Sequence, residues 1–224
     1  NTTGALNTAI SRAALSSNTT GDRNTAAGVN ALGANTTGQY NTAVGVDALE
    51  ANIAGSGNVA IGKEALTSST THSGLVAIGE NALKTADANT NSVAIGKDAM
   101  ELTTTGSGVA IGAYALHINT TGLQNIAIGY GALDTNTTGG YNVAIGWLAM
   151  DGNSTGDRNV AVGRNALTAN TTADANTAVG YNVLDAKTTG QYNTAVGDSS
   201  LSANTTASDN TAVGVNALLS NTTG

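Results

Sequence analysis

The chain has 224 residues, a formal net charge of −7, 29 Gly, no Pro, Cys or Phe, 3% aromatic and 10% charged residues. So few aromatics exclude a large globular core, yet 40% apolar residues, mostly small, are too many for a disordered chain. Scattered acids leave no basic surface for nucleic acid, the lack of Cys excludes disulfides and thiolate metal sites, and no stretch approaches the roughly 20 apolar residues of a helical membrane span.

One unit recurs along the whole chain. The Asn that opens "NTAVG", or the residue in its place, stands at positions 7, 24, 41, 58, 75, 92, 108, 125, 142, 159, 176, 193 and 210. Every interval is 17 residues except the 16 between Ser92 and Gly108. Such self-similarity is settled before any other reading, because it decides the architecture. The unit reads N-(T/V)-A-(V/I)-G-x-x-A-(L/M)-x-x-N-T-T-G-x-x.

Taken in chain order, the repeats open with Asn or the residue in its place, a β-branched residue, Ala, a second β-branched residue (Ala27 being the one exception) and Gly (Ser11 in the first copy), as in "NVAIG" from Asn58 to Gly62. That pattern predicts a short strand ended by a turn. The ninth position is Leu or Met in every copy, from Leu15 through Met100 and Met150 to Leu218. The later N-T-T-G is turn chemistry, since Asn bonds its own backbone and Gly accepts positive φ. A helix is excluded, because two breakers every 17 residues leave no room for three turns.

A 17-residue unit with so little strand cannot bury its own apolar face. Stacked as coils, however, each strand pairs with its equivalent one rung away. The predicted fold is therefore all-β: a parallel β-solenoid, or β-roll, of thirteen rungs in a single domain over residues 1–224. With rungs about 4.8 Å apart, the predicted rod is on the order of 60 Å long. Both ends read "NTTG", as expected for a section of a longer array.

Within a strand, the second and fourth positions share one face and the third takes the other. If the Val/Ile pair fills the interior, the invariant Ala at the third position faces outward. An exposed column should vary as the sixth position does, so a close neighbour is expected over the Ala column. That neighbour is either the opposite wall of a flattened coil or another subunit. The subunit reading is adopted here, making Ala43, Ala60, Ala77, Ala94, Ala110, Ala127, Ala144 and Ala161 expected oligomer contacts.

"NVAIG", "NTAVG" and "NSVAIG" (Asn91 to Gly96) resemble the head repeats of YadA-like trimeric autotransporter adhesins. The 17-residue spacing is also similar to the "NTAxGxxALxxNTTGxx" arrays of bacterial and phage tail-fibre-domain proteins. The resemblance implies a left-handed roll, a homotrimer, and an extracellular place on a cell surface or virion. It covers nearly the whole chain and is specific for the repeat type. It is weak for function, because such arrays serve as shafts and heads in many fibres.

Departures from the repeat are few, and no catalytic, metal or cofactor constellation is read from them. His72 and His117 are read as solvated turn residues, and the acids, such as Asp47, Asp134 and Asp151, as single surface charges. Eight sites, from Asn18 to Asn221, begin N-T-T or N-S-T and are formal glycosylation sequons. The favoured reading is a stacked turn in which these side chains bond along the column. Regular Thr could also order ice, but the two Thr are adjacent and point apart, and Ile53–Ala54 and Asp87–Ala88 interrupt the column. At the sixth position of consecutive repeats stand Tyr130, Trp147, Arg164 and Tyr181, a column able to hold a sugar ring or to meet another subunit. The sequence thus predicts a non-enzymatic fibre shaft or head that partners itself, with binding of surface glycans or, less favoured, ice as the alternative.

Overall fold

The computed structural model describes residues 2–85, 91–186 and 189–223. Among the described residues there are thirteen short strands and no helix. The chain forms two compact units, Asn1–Ser107 and Gly108–Gly224. The boundary falls at the end of the one 16-residue repeat. Asp87–Ala88 lies outside the described residues.

The first unit contains β1 (Thr8–Ile10), β2 (Thr25–Ala27), β3 (Thr42–Val44), β4 (Val59–Ile61), β5 (Val76–Ile78) and β6 (Val93–Ile95). Each is parallel to the next, and the register never slips: Ala9 pairs with Ala26, Ala26 with Ala43, Ala43 with Ala60, and so on to Ala94. The second unit contains β7 (Gly108–Ile111), β8 (Asn125–Ile128), β9 (Val143–Ile145), β10 (Val160–Val162), β11 (Thr177–Val179), β12 (Thr194–Val196) and β13 (Thr211–Val213). Here the same ladder runs from Ala110 to Ala212. Each unit is a parallel β-solenoid with one strand column, as the repeat predicts.

The rest of each coil is built from turns interlocked with cross-coil bonds. In the coil after β2, Ala31, Gly33 and Asn35 donate back three residues, to the carbonyls of Gly28, Asn30 and Leu32. The alternate residues Leu32 and Ala34 instead donate to Ala48 and Glu50 of the next coil, each at 3.0 Å. This alternation accounts for the backbone groups of a wall that is not a strand. It also puts the ninth-position Leu or Met in the left-handed region, as in Leu32 (φ 51°) and Leu49 (φ 54°). That conformation costs an L-residue about 1–2 kcal/mol. Full burial of a Leu side chain contributes about 1.5–3 kcal/mol and offsets it.

Glycine at the fifth position is fixed by close approach. Gly45 has φ +140°, and a Cβ there would stand 2.4 Å from the carbonyl oxygen of Gly62 one coil on. The strand therefore ends where two backbones nearly touch.

The faces of the strands are the reverse of the sequence expectation. Ala43, Ala60, Ala77, Ala94, Ala110, Ala127, Ala144 and Ala161 are each 0% exposed in the single chain. They point into the coil, so the expected role of this column as an oligomer contact is wrong. The eighth-position Ala, such as Ala65, and the ninth-position Leu or Met, such as Leu66, are equally buried. A 17-residue coil encloses little volume, and methyl groups, one Leu or Met and two Asn columns fill it. Only Ala fits the strand wall of so narrow an interior. The β-branched second and fourth positions face outward, with Ile61 38%, Ile111 37% and Ile145 37% exposed.

Candidate functional site

Two columns of Asn run through the interior of each unit. At the twelfth position, Asn35 donates its side-chain amide to Asn18 Oδ1 at 2.9 Å and to the Gly38 carbonyl at 3.1 Å. Asn52 in turn donates to Asn35 Oδ1 at 2.8 Å. The second unit repeats this through Asn119, Asn136, Asn153 and Asn170. At the first position, the backbone N–H of Asn41 donates to Asn24 Oδ1 at 2.9 Å, while the Asn41 amide reaches the Gly55 carbonyl at 2.8 Å. Buried amides are costly unless bonded, and along most of these columns each coil satisfies its neighbour, although the Oδ1 atoms of Asn52 and Asn170 have no partner.

Seven of the eight sequons are consequently inside, Asn221 alone being half-buried. Asn18, Asn35, Asn119, Asn136, Asn153, Asn170 and Asn204 are all buried, so in the folded chain no glycan can be carried there. The thirteenth-position hydroxyls are occupied too: Thr36 donates to the Ile53 carbonyl at 3.1 Å and Thr120 to the Thr137 carbonyl at 2.8 Å. A bonded hydroxyl that should order ice is thereby already engaged.

The sixth-position column in the second unit comes together as its spacing predicts. Tyr130 and Trp147 are stacked, with centroids 4.4 Å apart and planes 16° from parallel. Arg164 follows one coil on, and with Trp147 it lines a shallow pocket of about 340 Å³. The Arg164 guanidinium then lies over Tyr181, 5.8 Å from the ring centroid, a cation–π geometry. Tyr130, Trp147, Arg164 and Tyr181 are all exposed. The ladder is longer than the column, however. Tyr114 meets Tyr130 edge-on at 5.7 Å, and His117 meets Tyr114 edge-on at 5.6 Å. Tyr114 stands at the seventh position beside the small Ala113, and a search confined to the sixth position passes over it.

Two readings of single residues change. His117 is half-buried and its Nδ1 lies 3.1 Å from Asp134 Oδ1, while the buried Nδ1 of His72 has no partner. Neither is a freely solvated turn residue. The acids are not all independent either: burial, and then the negative charge of Asp134 one coil away, push the Asp151 carboxyl above the ordinary range. Burial does the same at Asp185.

Other charges form a surface network in the first unit. Glu64 is 2.6 Å from Lys84 and 3.2 Å from Lys63, and these two ammonium groups hold its carboxyl below the usual range. Exposed pairs of this kind add little to stability.

The outward strand face is the other candidate surface. Its second and fourth columns carry only Thr, Val, Ile and one Ala, with no charge in any repeat. Set against known protein families, curated proteins and solved structures, the chain has no match.

Proposed function

We propose that the chain is a non-enzymatic structural segment, shaft or head, of an extracellular fibre such as a bacterial surface adhesin or a phage tail fibre. The observation that carries this reading is the outward strand face. A charge-free surface of Val, Ile and Thr, held flat by parallel pairing, is costly to leave in water. A second copy of the same face covers it with matched chemistry and matched rung spacing. The partner is therefore the chain itself, and the resemblance to trimeric adhesin repeats supplies the number three. The contact residues become the β-branched columns, for example Ile128, Ile145 and Val162, in place of the Ala column.

Mechanism in such a segment is mechanical. Backbone bonds, two Asn ladders and Thr hydroxyls all connect adjacent coils within a unit, so bending or proteolysis has to break several bonds at once. Sedimentation equilibrium on the purified chain tests the reading. A trimer at micromolar concentration is expected, and a monomer at every concentration would overturn it.

A further inference from the structure

We infer that the space between Trp147 and Arg164 is a binding site for an acidic saccharide, a pyranose ring bearing a carboxylate. The inference does not rest on the fibre reading; it rests on what this column holds in the second unit and nowhere in the first.

In the first unit the sixth position carries Arg12, Val29, Val46, Lys63, Glu80 and Lys97, a series with no aromatic ring. In the second unit it carries Tyr130, Trp147, Arg164 and Tyr181 in consecutive coils. Tyr130 covers one face of the Trp147 indole. Its other face is turned along the column toward Arg164, and there the pocket of about 340 Å³ opens. Trp147 is 51% exposed even with Tyr130 stacked on it. An indole face held rigid from behind offers the flat apolar surface on which the C–H groups of a sugar ring lie.

Arg164 selects the ligand's charge. No ion pair engages it among the described residues, while Lys63, Lys84 and Lys97 of the first unit all have carboxylate neighbours. Tyr181 supports the guanidinium from the far side without occupying its in-plane donors. A planar fork of free N–H donors beside an aromatic face matches a carboxylate in bidentate fashion. The chain's net charge of −7 is spread over its length, and salt screens it beyond about 8–10 Å, so the local pair decides recognition.

Trp147 is the single Trp of the chain, so its fluorescence reports this site without labelling. The full chain is titrated with an oligogalacturonate, an oligosialic acid and a neutral malto-oligosaccharide. A saturable change is expected with at least one acidic saccharide, and response to one acid alone names the class of sugar. The neutral saccharide, and the Arg164→Gln variant with the acidic one, should each bind about tenfold more weakly or worse, as the loss of a charged hydrogen bond implies. Three results would overturn the assignment: no saturable change with either acid, equal titration by the neutral sugar, or an unaltered Arg164→Gln variant.

Discussion

The side-chain oxygen of Asn52 is buried and unpartnered, because the residue one coil on in its ladder is Ser69, whose hydroxyl is also buried without a partner. Asn170 Oδ1 is likewise buried without a partner, whereas at Asn18, Asn35, Asn119, Asn136 and Asn153 the same oxygen accepts an amide, as Asn35 Oδ1 accepts from Asn52 at 2.8 Å. Ser69→Asn restores the donor, and the His72 carbonyl stands where Gly55 serves Asn52. A buried bond of this kind contributes about 1 kcal/mol. The variant should unfold a few degrees higher in a calorimetric scan; an unchanged or lower midpoint counts against the ladder as a source of stability.

Glycines of the repeat are predicted to be unequal. Gly45→Ala puts a Cβ against the Gly62 carbonyl at a φ that L-residues rarely adopt, whereas Gly57 has φ +68° and open space around it. In urea unfolding, Gly57→Ala should cost about 1 kcal/mol, the penalty of the left-handed region alone. Gly45→Ala should cost more, about 3 kcal/mol or above, from strain and overpacking together. Equal costs would mean that adjacent coils do not approach as closely as described.

Whole coils should be exchangeable and fractions of coils should not. Deleting Asn142 to Arg158 removes one 17-residue rung of the second unit and brings Asn136 opposite Asn170. Nearest-neighbour stacking then survives. Deleting eight residues from the same stretch misaligns strand, Leu and Asn columns. Circular dichroism and thermal melting should show a folded first variant and an unfolded second one.

The repeat was legible in the sequence because breakers and β-branched residues recur at a fixed interval, and parallel pairing follows from stacking alone. The direction of the strand faces was not. Size and hydrophobicity put Val44 inside and Ala43 outside, but interior volume decides, and a coil this narrow admits only the methyl. Nor could pattern show that Leu49 would accept a left-handed backbone, since burial overrides propensity there. Column reading did find Tyr130, Trp147, Arg164 and Tyr181, because equal spacing becomes adjacency in a solenoid. It missed Tyr114, which reaches the ladder from the next position over.

Asp151 makes stability depend on pH in a defined direction. Burial first, and Asp134 second, raise its folded-state pKa above 3.8. A raised pKa means the fold favours the protonated acid. The stability this carries is fully present below the unfolded value, and is lost as pH rises through the folded one. Asp151→Asn should therefore be more stable than the wild type at pH 7. The difference should shrink as pH falls toward about 3, below the ordinary Asp range. Denaturant unfolding at several pH values checks this; a constant difference would exclude the titration of Asp151 as its origin.

The strand faces give the most direct test of how this chain is built and what it partners. Ala144→Glu places a charge inside the coil, where no volume or partner exists, and should unfold the second unit. The triple variant Ile128→Glu, Ile145→Lys, Val162→Glu changes three outward residues in adjacent strands, and its alternating charges attract across the ladder. Sedimentation equilibrium with circular dichroism on both variants and the wild type is the decisive measurement. The expected result is a wild-type trimer, an unfolded Ala144→Glu chain, and a triple variant that is folded but monomeric. A folded, dissociated Ala144→Glu beside a triple variant that still associates would contradict it, returning the Ala column to the subunit boundary.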